Sequence, residues 1–262
     1  MSWFEAIILG IIQGLTEFLP VSSSGHLELG KAILGVEAKE SLIFTVVVHG
    51  ATVLSTIVVF YKEIISLFQG FFKFQWNDST KYIAKIAISM IPVLIVGLFF
   101  KDEVESLFIG NILLVGVMLI LTSFLLGFTF FSKKNKRDIG FWDSLIIGIS
   151  QAFAVIPGIS RSGSTIATGI LLGNKKDLIA RFSFLMVLIP IIGANLKDLM
   201  DGEMMHNTSV GPLALLLGFL SAFVSGLLAC KWMIKIVSKG KLIYFAIYCF
   251  IVGLIAIFAA IF

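Results

Sequence analysis

The chain has 262 residues, of which 58% are hydrophobic and only 14% charged, with a mean hydropathy of +1.03. A water-soluble domain of this size cannot cover its surface with so few charges, so soluble enzymes and soluble binding modules are excluded and an integral membrane protein is expected. The formal charge of +4 is spread over loops rather than gathered in a patch, which excludes nucleic acid as a partner, and the two cysteines, Cys230 and Cys249, form no thiolate metal spacing or disulfide framework.

Only helices and closed barrels satisfy the backbone in hydrocarbon, and these apolar runs lack the alternation of barrel strands, so the fold class is all-α and polytopic. Ten segments follow in order. The amino terminus, Met-Ser-Trp-Phe-Glu, has no basic n-region, so residues 3–19 are not expected to be a cleaved signal peptide. Glu5 lies one turn in, where it complements the helix dipole. This segment carries Gln13 and Glu17 and stops at Pro20. Residues 22–35 begin Ser22-Ser23-Ser24-Gly25-His26 and carry Glu28 and Lys31 as an i, i+3 pair. Three long runs follow: 41–61 with His49, expected to hydrogen-bond a neighbouring helix; 81–100, kinked at Pro92; and 107–131. The pattern then recurs as 141–156, with Asp143 in the place of Glu5; 160–173; 178–197, with Pro190 and a snorkelling Arg181; 211–234; and 241–262.

A full crossing needs about 20 apolar residues. Residues 22–35 and 160–173 are too short and too polar to cross, and with the segments before them they read as two hairpins that enter and return. Shifting the chain by 138 residues superposes Gly10, Gln13, Ser22, Ser24 and Gly25 on Gly148, Gln151, Ser160, Ser162 and Gly163. The whole chain is therefore one membrane domain of two repeats, about 1–132 and 139–262, each with one re-entrant hairpin and three transmembrane helices. Three crossings are odd, so the repeats have inverted topology. Fifteen of the twenty basic residues fall in the loops near 62–85, 132–139, 174–181 and 231–241. Lys31, Lys39, Lys101 and Lys197 fall on the other side, with an acidic loop around Asp198, Asp201 and Glu203. The basic side is cytoplasmic by the positive-inside rule, both termini are outside, and the hairpin tips meet near mid-membrane.

The polar residues concentrate at those tips. Glu17, His26 and Arg161 are ionisable groups in an apolar sequence, which marks a functional site. Arg161 has no acid near it in sequence, and its fork of donors suits phosphate oxygens. The turns Ser22-Ser23-Ser24-Gly25 and Ser160-Arg161-Ser162-Gly163 present hydroxyls and backbone N–H groups at helix starts, an anion-binding arrangement. A diphosphate on a lipid needs a cationic clamp, a metal to neutralise oxygens and a nucleophile at the bilayer. Arg161, Glu17 with Mg²⁺ or Ca²⁺, and Ser23 or His26 can fill those roles. A polyprenyl-phosphate flippase or secondary transporter using the same headgroup site is the alternative, because inverted repeats with broken helices are also transporter architecture.

Gln13-x-x-x-Glu17 followed by Phe-Leu-Pro-Val-Ser-Ser-Ser-Gly-His26, and Pro157-Gly-Ile-Ser-Arg-Ser-Gly-Ser-Thr165, resemble the two signature motifs of the bacterial undecaprenyl-pyrophosphate phosphatases of the bacitracin-resistance BacA type. Length, segment count and repeat match as well. The resemblance implies hydrolysis of undecaprenyl diphosphate to undecaprenyl phosphate and inorganic phosphate in the bacterial cytoplasmic (inner) membrane, with a divalent cation. Glu17 and His26 are then catalytic, Glu17 holding the metal. Ser23 is the candidate nucleophile, and Ser160 and Arg161 hold the diphosphate. Gln13, Ser22, Ser24, Gly25, Ser162, Gly163 and Thr165 complete the expected binding set. Many members have Glu where this chain has Gln13, and the amide is the weaker metal ligand. The acid-phosphatase-like lipid phosphatases need a further His-x-x-x-Asp, which His206-Asn-Thr-Ser-Val does not provide. The expected partners are the polyprenyl diphosphate lipid and membrane lipids, with a homodimer left open.

Overall fold

The computed structural model describes residues 1–36, 38–107, 111–132, 136–200 and 210–261. Lys133, Lys134, Asp201, Glu203 and His206 lie outside them, as do the side chains of Lys39, Lys101 and Asp198. The described chain is helical: α1 (Trp3–Phe18), α2 (Ser23–Leu34), α3 (Ala38–Val59), α4 (Tyr61–Phe71), α5 (Asp78–Phe99), α6 (Lys101–Ser106), α7 (Ile112–Phe128), α8 (Phe141–Phe153), α9 (Arg161–Leu171), α10 (Lys176–Met186), α11 (Leu188–Met200), α12 (Pro212–Ser238) and α13 (Ile243–Ile261). Among the described residues five stretches are long and apolar enough to cross a membrane, namely α5, residues 112–131, residues 176–197, α12 and α13, and the bent pair α3–α4 makes a sixth where it is counted as one span. They fall on the six long runs the sequence predicts, five as single stretches and the 41–61 run as part of the bent pair.

Helices at matching sequence positions start alike. Ser2 Oγ accepts the Glu5 amide at 3.3 Å while Glu5 accepts the Ser2 amide at 2.7 Å, a capping box. At the matching place Asp143 accepts the Gly140 amide at 2.9 Å. Ser22 caps α2 by accepting the Gly25 amide at 3.2 Å, and Ser160 caps α9 by accepting the Gly163 amide at 3.0 Å. Each first helix then packs on the long helix of the other half, α1 on α12 and α8 on α5, while α7 pairs with α13. Small residues make these contacts close. A Cβ on Gly10 would fall 2.5 Å from the Gly218 carbonyl oxygen, and one on the matching Gly148 would fall 2.3 Å from that of Ser89.

Three details differ from the sequence reading. The 62–85 stretch is not all loop, because Tyr61–Phe71 is helical and meets α3 at 73°. Its apolar residues recur at 61, 64, 65, 68, 71 and 72, a period that suits a short helix lying in the interface. Buried Phe60 pins the bend against Phe184, ring centroids 6.3 Å apart. The 178–197 crossing is broken at Val187 into α10 and α11, because Pro190 has no N–H for a helical bond and crowds the turn before it. Pro92, by contrast, stays inside an unbroken α5. Finally, Arg181 does not extend to the interface alone but pairs with Glu63 at 2.6 Å, tying α10 to α4.

Candidate active site

The two hairpin tips meet. Glu17 lies in the last turn of α1 and is 7% exposed. Its Oε2 accepts from Gln13 Nε2 at 2.9 Å, one turn back, and from Ser23 Oγ at 2.7 Å, the first residue of α2. Its Oε1 pairs with Nη2 of Arg161, the first residue of α9. A buried carboxylate is tolerated only when paired and hydrogen-bonded, and every bond here comes from a residue at or near a tip. Ser162 Oγ donates to the Leu19 carbonyl at 3.1 Å, which joins the tips directly. Thr122 on α7 holds the second tip by donating to the Gly158 carbonyl at 3.2 Å and accepting the Ser160 amide at 3.1 Å.

Two buried polar atoms in this cluster have no partner, Arg161 Nη1 and Gln13 Oε1. A small cavity beside Glu17 and Arg161 is lined further by Thr52 and Thr56 of α3 and by Phe184 and Leu188 at the α10–α11 break. Both α2 and α9 start here, so two positive helix ends serve the same spot.

Several predicted site residues build the turns rather than face Glu17. Ser22 and Ser160 are N-caps, Ser24 Oγ lies 3.3 Å from Ser22 Oγ, and Ser162 Oγ lies 3.4 Å from Ser160 Oγ. A Cβ on Gly25 would fall 3.3 Å from the Gly158 Cα, and one on Gly163 3.3 Å from Pro20 Cβ, so both glycines allow the tips to approach. Thr165 bonds the Arg161 carbonyl at 2.9 Å and Ser183 at 2.6 Å, anchoring α9 to α10.

The histidines depart most from expectation. His26 Nδ1 donates to the Ser22 carbonyl at 2.9 Å, and its Nε2 lies 2.9 Å from the Tyr248 hydroxyl of α13. His49 does not bond a neighbouring helix through Nδ1. That nitrogen donates to the Thr45 carbonyl one turn back at 2.8 Å, and Nε2 lies 3.9 Å from Glu17 Oε2. The sequence did hold a signal for it: Thr45, His49, Thr52 and Thr56 share one face of α3, a polar stripe in an apolar helix.

Among the described residues no three His, Cys, Asp or Glu side chains converge as a metal cluster. What the site offers a cation is the Glu17 carboxylate and the unpartnered Gln13 Oε1. Both are hard oxygens. They fit a Mg²⁺- or Ca²⁺-type ion that takes most of its ligands from substrate phosphate and water.

A helical bundle with several membrane-length apolar helices, which brings a part-buried arginine and serine onto a buried carboxylate at two facing hairpin tips, defines a multi-pass membrane protein. The chain belongs to the family of the bacitracin resistance protein BacA, whose model matches residues 6–255. It is similar to undecaprenyl-diphosphatases: 58% identical over 261 residues to that of Bacteroides fragilis and 60% over 261 residues to that of Parabacteroides distasonis, covering 98% of both chains in each case. The undecaprenyl-diphosphatase of Methanobrevibacter smithii is 38% identical over 277 residues, covering 100% of this chain and 99% of its own.

Proposed function

We propose that this chain hydrolyses undecaprenyl diphosphate to undecaprenyl phosphate and inorganic phosphate, regenerating the carrier lipid for cell-wall synthesis. The observation that carries the reading is Arg161, which spends Nη2 on Glu17 and keeps Nη1 buried without a partner beside the Ser23–Glu17 hydrogen bond. An unpartnered buried guanidinium donor is stabilised by an anion, and phosphate oxygens match its fork.

Ser23 Oγ attacks the terminal phosphorus while its proton passes to Glu17 Oε2, already 2.7 Å away. The new O–P bond forms as the anhydride P–O bond breaks, and undecaprenyl phosphate leaves with the electron pair. Arg161 stabilises the equatorial oxygens of the transferred group. Water then attacks the phosphoserine, Glu17 returns its proton to Ser23 Oγ, and the water's proton leaves with the phosphate. His26, one turn along α2 from Ser23, serves the same transfer through Nε2, because Nδ1 is committed to a carbonyl. A bound divalent ion, held by Glu17 and Gln13 Oε1, would neutralise diphosphate charge.

The test is phosphate release from undecaprenyl diphosphate by purified protein in detergent, for wild type and Ser23→Ala. Turnover without a second compartment separates this reading from a flippase, which needs two. No release by wild type would overturn the phosphatase reading, and near-wild-type turnover by Ser23→Ala would make water or His26 the attacking group. The orientation with both termini outside rests on the fifteen-to-four basic asymmetry, and the placement in the cytoplasmic membrane rests on the family. In a background lacking Cys230 and Cys249, cysteine at Ser106 should react with an impermeant reagent applied outside, and cysteine at Gln75 should not. Labelling of both would overturn that orientation.

A further inference from the structure

The partner of His26 comes from the far end of the chain. Tyr248 lies 222 residues away, and its hydroxyl sits 2.9 Å from His26 Nε2. The two rings also stack, with centroids 5.6 Å apart and planes 14° from parallel. On the other side of the imidazole the Ser22 carbonyl lies 2.9 Å from Nδ1. A carbonyl only accepts, so Nδ1 carries a proton. In the neutral ring Nε2 is then the bare nitrogen, and it accepts from Tyr248. The Ser22 carbonyl thus fixes the imidazole tautomer, and the ring orientation is held from two sides, one on the first hairpin and one on the last helix.

The approach of α13 to this tip is built into the fold. Cys249, the residue after Tyr248, is fully buried with Sγ 3.6 Å from the Pro20 carbonyl oxygen. Further along, α13 touches α7 backbone to backbone, since a Cβ on Gly253 would fall 2.8 Å from the Gly116 carbonyl oxygen. Tyr248 itself is 44% exposed. Packing alone does not require a hydroxyl there.

We propose that Tyr248 is a positioning residue of the active site, whose hydroxyl and ring hold the His26 imidazole in its rotamer until substrate takes the hydroxyl's place at Nε2, the atom that serves phosphoryl transfer. This rests on the reading of His26 as part of a phosphatase site. A group that orients a catalytic imidazole without binding substrate shows in kcat more than in KM. Loss of such an outer partner typically lowers activity about 10- to 100-fold.

The experiment compares Tyr248→Phe, which keeps the stacked ring and removes the hydroxyl, with His26→Ala and wild type, in matched detergent. Tyr248→Phe should lower kcat by about 10-fold or more and leave KM within about twofold. In parallel, carbethoxylation of His26 by diethyl pyrocarbonate is mapped by peptide mass spectrometry. The hydroxyl covers Nε2, so Tyr248→Phe should make His26 react several-fold faster. Wild-type kcat for Tyr248→Phe beside an inactive His26→Ala overturns the positioning role and leaves the phosphatase reading intact. Unchanged carbethoxylation overturns the hydrogen bond itself, whether or not Tyr248→Phe folds as well as wild type. Full turnover by His26→Ala removes His26 from the chemistry and the proposal with it.

Discussion

The two hairpin tips share one plan and divide the chemistry between them. Both end a helix, turn, and start the next helix on a serine cap, Ser22 in one and Ser160 in the other. The turns themselves differ. The first places a serine at φ 70°, a region that costs a side chain about 1–3 kcal/mol, whereas the second places Gly158 at φ 94°, where glycine is at ease. The residues they carry differ too. At matching repeat positions Glu17 faces Val155, Ser23 faces Arg161 and His26 faces Ser164. One tip took the carboxylate and the hydroxyl, and the other took the guanidinium. Neither is a site alone. The pairing of Glu17 with Arg161 joins them across the interface, and on the phosphatase reading the duplicated motif then supplies one reaction centre rather than two.

Breaking the first arm should have the largest effect. Glu17→Gln removes the acceptor of the Ser23 proton and leaves Arg161 without its counter-charge. Turnover should fall towards the upper end of the roughly 10²–10⁴-fold range of acid–base catalysis. The variant should also unfold more easily, because a buried pair that loses one partner typically costs about 3–5 kcal/mol. Steady-state phosphate release and detergent thermal unfolding measure both. Turnover near wild type would show that Ser23 does not need this base.

The second arm can be sharpened rather than removed. Arg161→Lys keeps the charge and loses the fork. Turnover should fall on the order of 10²–10³, the loss typical for one preorganised donor, with KM changing less because the lipid tail still holds the substrate. Lysine retaining more than about half of turnover would make Arg161 a point charge for Glu17, and the clamp would fail. A smaller effect belongs to the face of α3 that looks onto the pair. His49→Ala should lower turnover about 10-fold, as expected for a group outside the reacting set that faces Glu17 Oε2. Unchanged turnover would leave His49 as packing.

Most of the frame was legible because it follows from hydropathy and length. The all-helical class, the membrane-length apolar helices and the meeting of the two polar turns could be read from apolar run lengths, the 138-residue shift and the isolated charges. What escaped was set by shorter periods or by tertiary neighbours. The helix Tyr61–Phe71 is too short to register as a span, and its signal is an aromatic stripe rather than a run. Pro190 was visible, but where the helix breaks, at Val187, depends on how α10 and α11 pack. Tyr248 sits in an ordinary apolar helix, and nothing in its own stretch points to a histidine 222 residues earlier. His49 was read as a helix-packing residue because its nearest acid in space, Glu17, is on another helix.

The smallest expected effects test the difference between the turns themselves. A methyl group at Gly158 would take a left-handed conformation and would lie 2.6 Å from the Val115 carbonyl oxygen and 2.7 Å from Met118 Cβ. Strain and overpacking together should destabilise Gly158→Ala by about 2–4 kcal/mol. Ser22→Gly works the other way. It relieves the positive φ, a gain of about 1–2 kcal/mol, but gives up the cap on Gly25 and adds freedom to the unfolded chain, losses of a few tenths and about 0.5–1 kcal/mol. The terms nearly cancel, so Ser22→Gly should unfold within about 1 kcal/mol of wild type. Thermal unfolding of both variants in one detergent reads the contrast. Equal destabilisation of the two would mean that the cap, and not the backbone, holds Ser22 in place, and the tips would then differ in side chains alone.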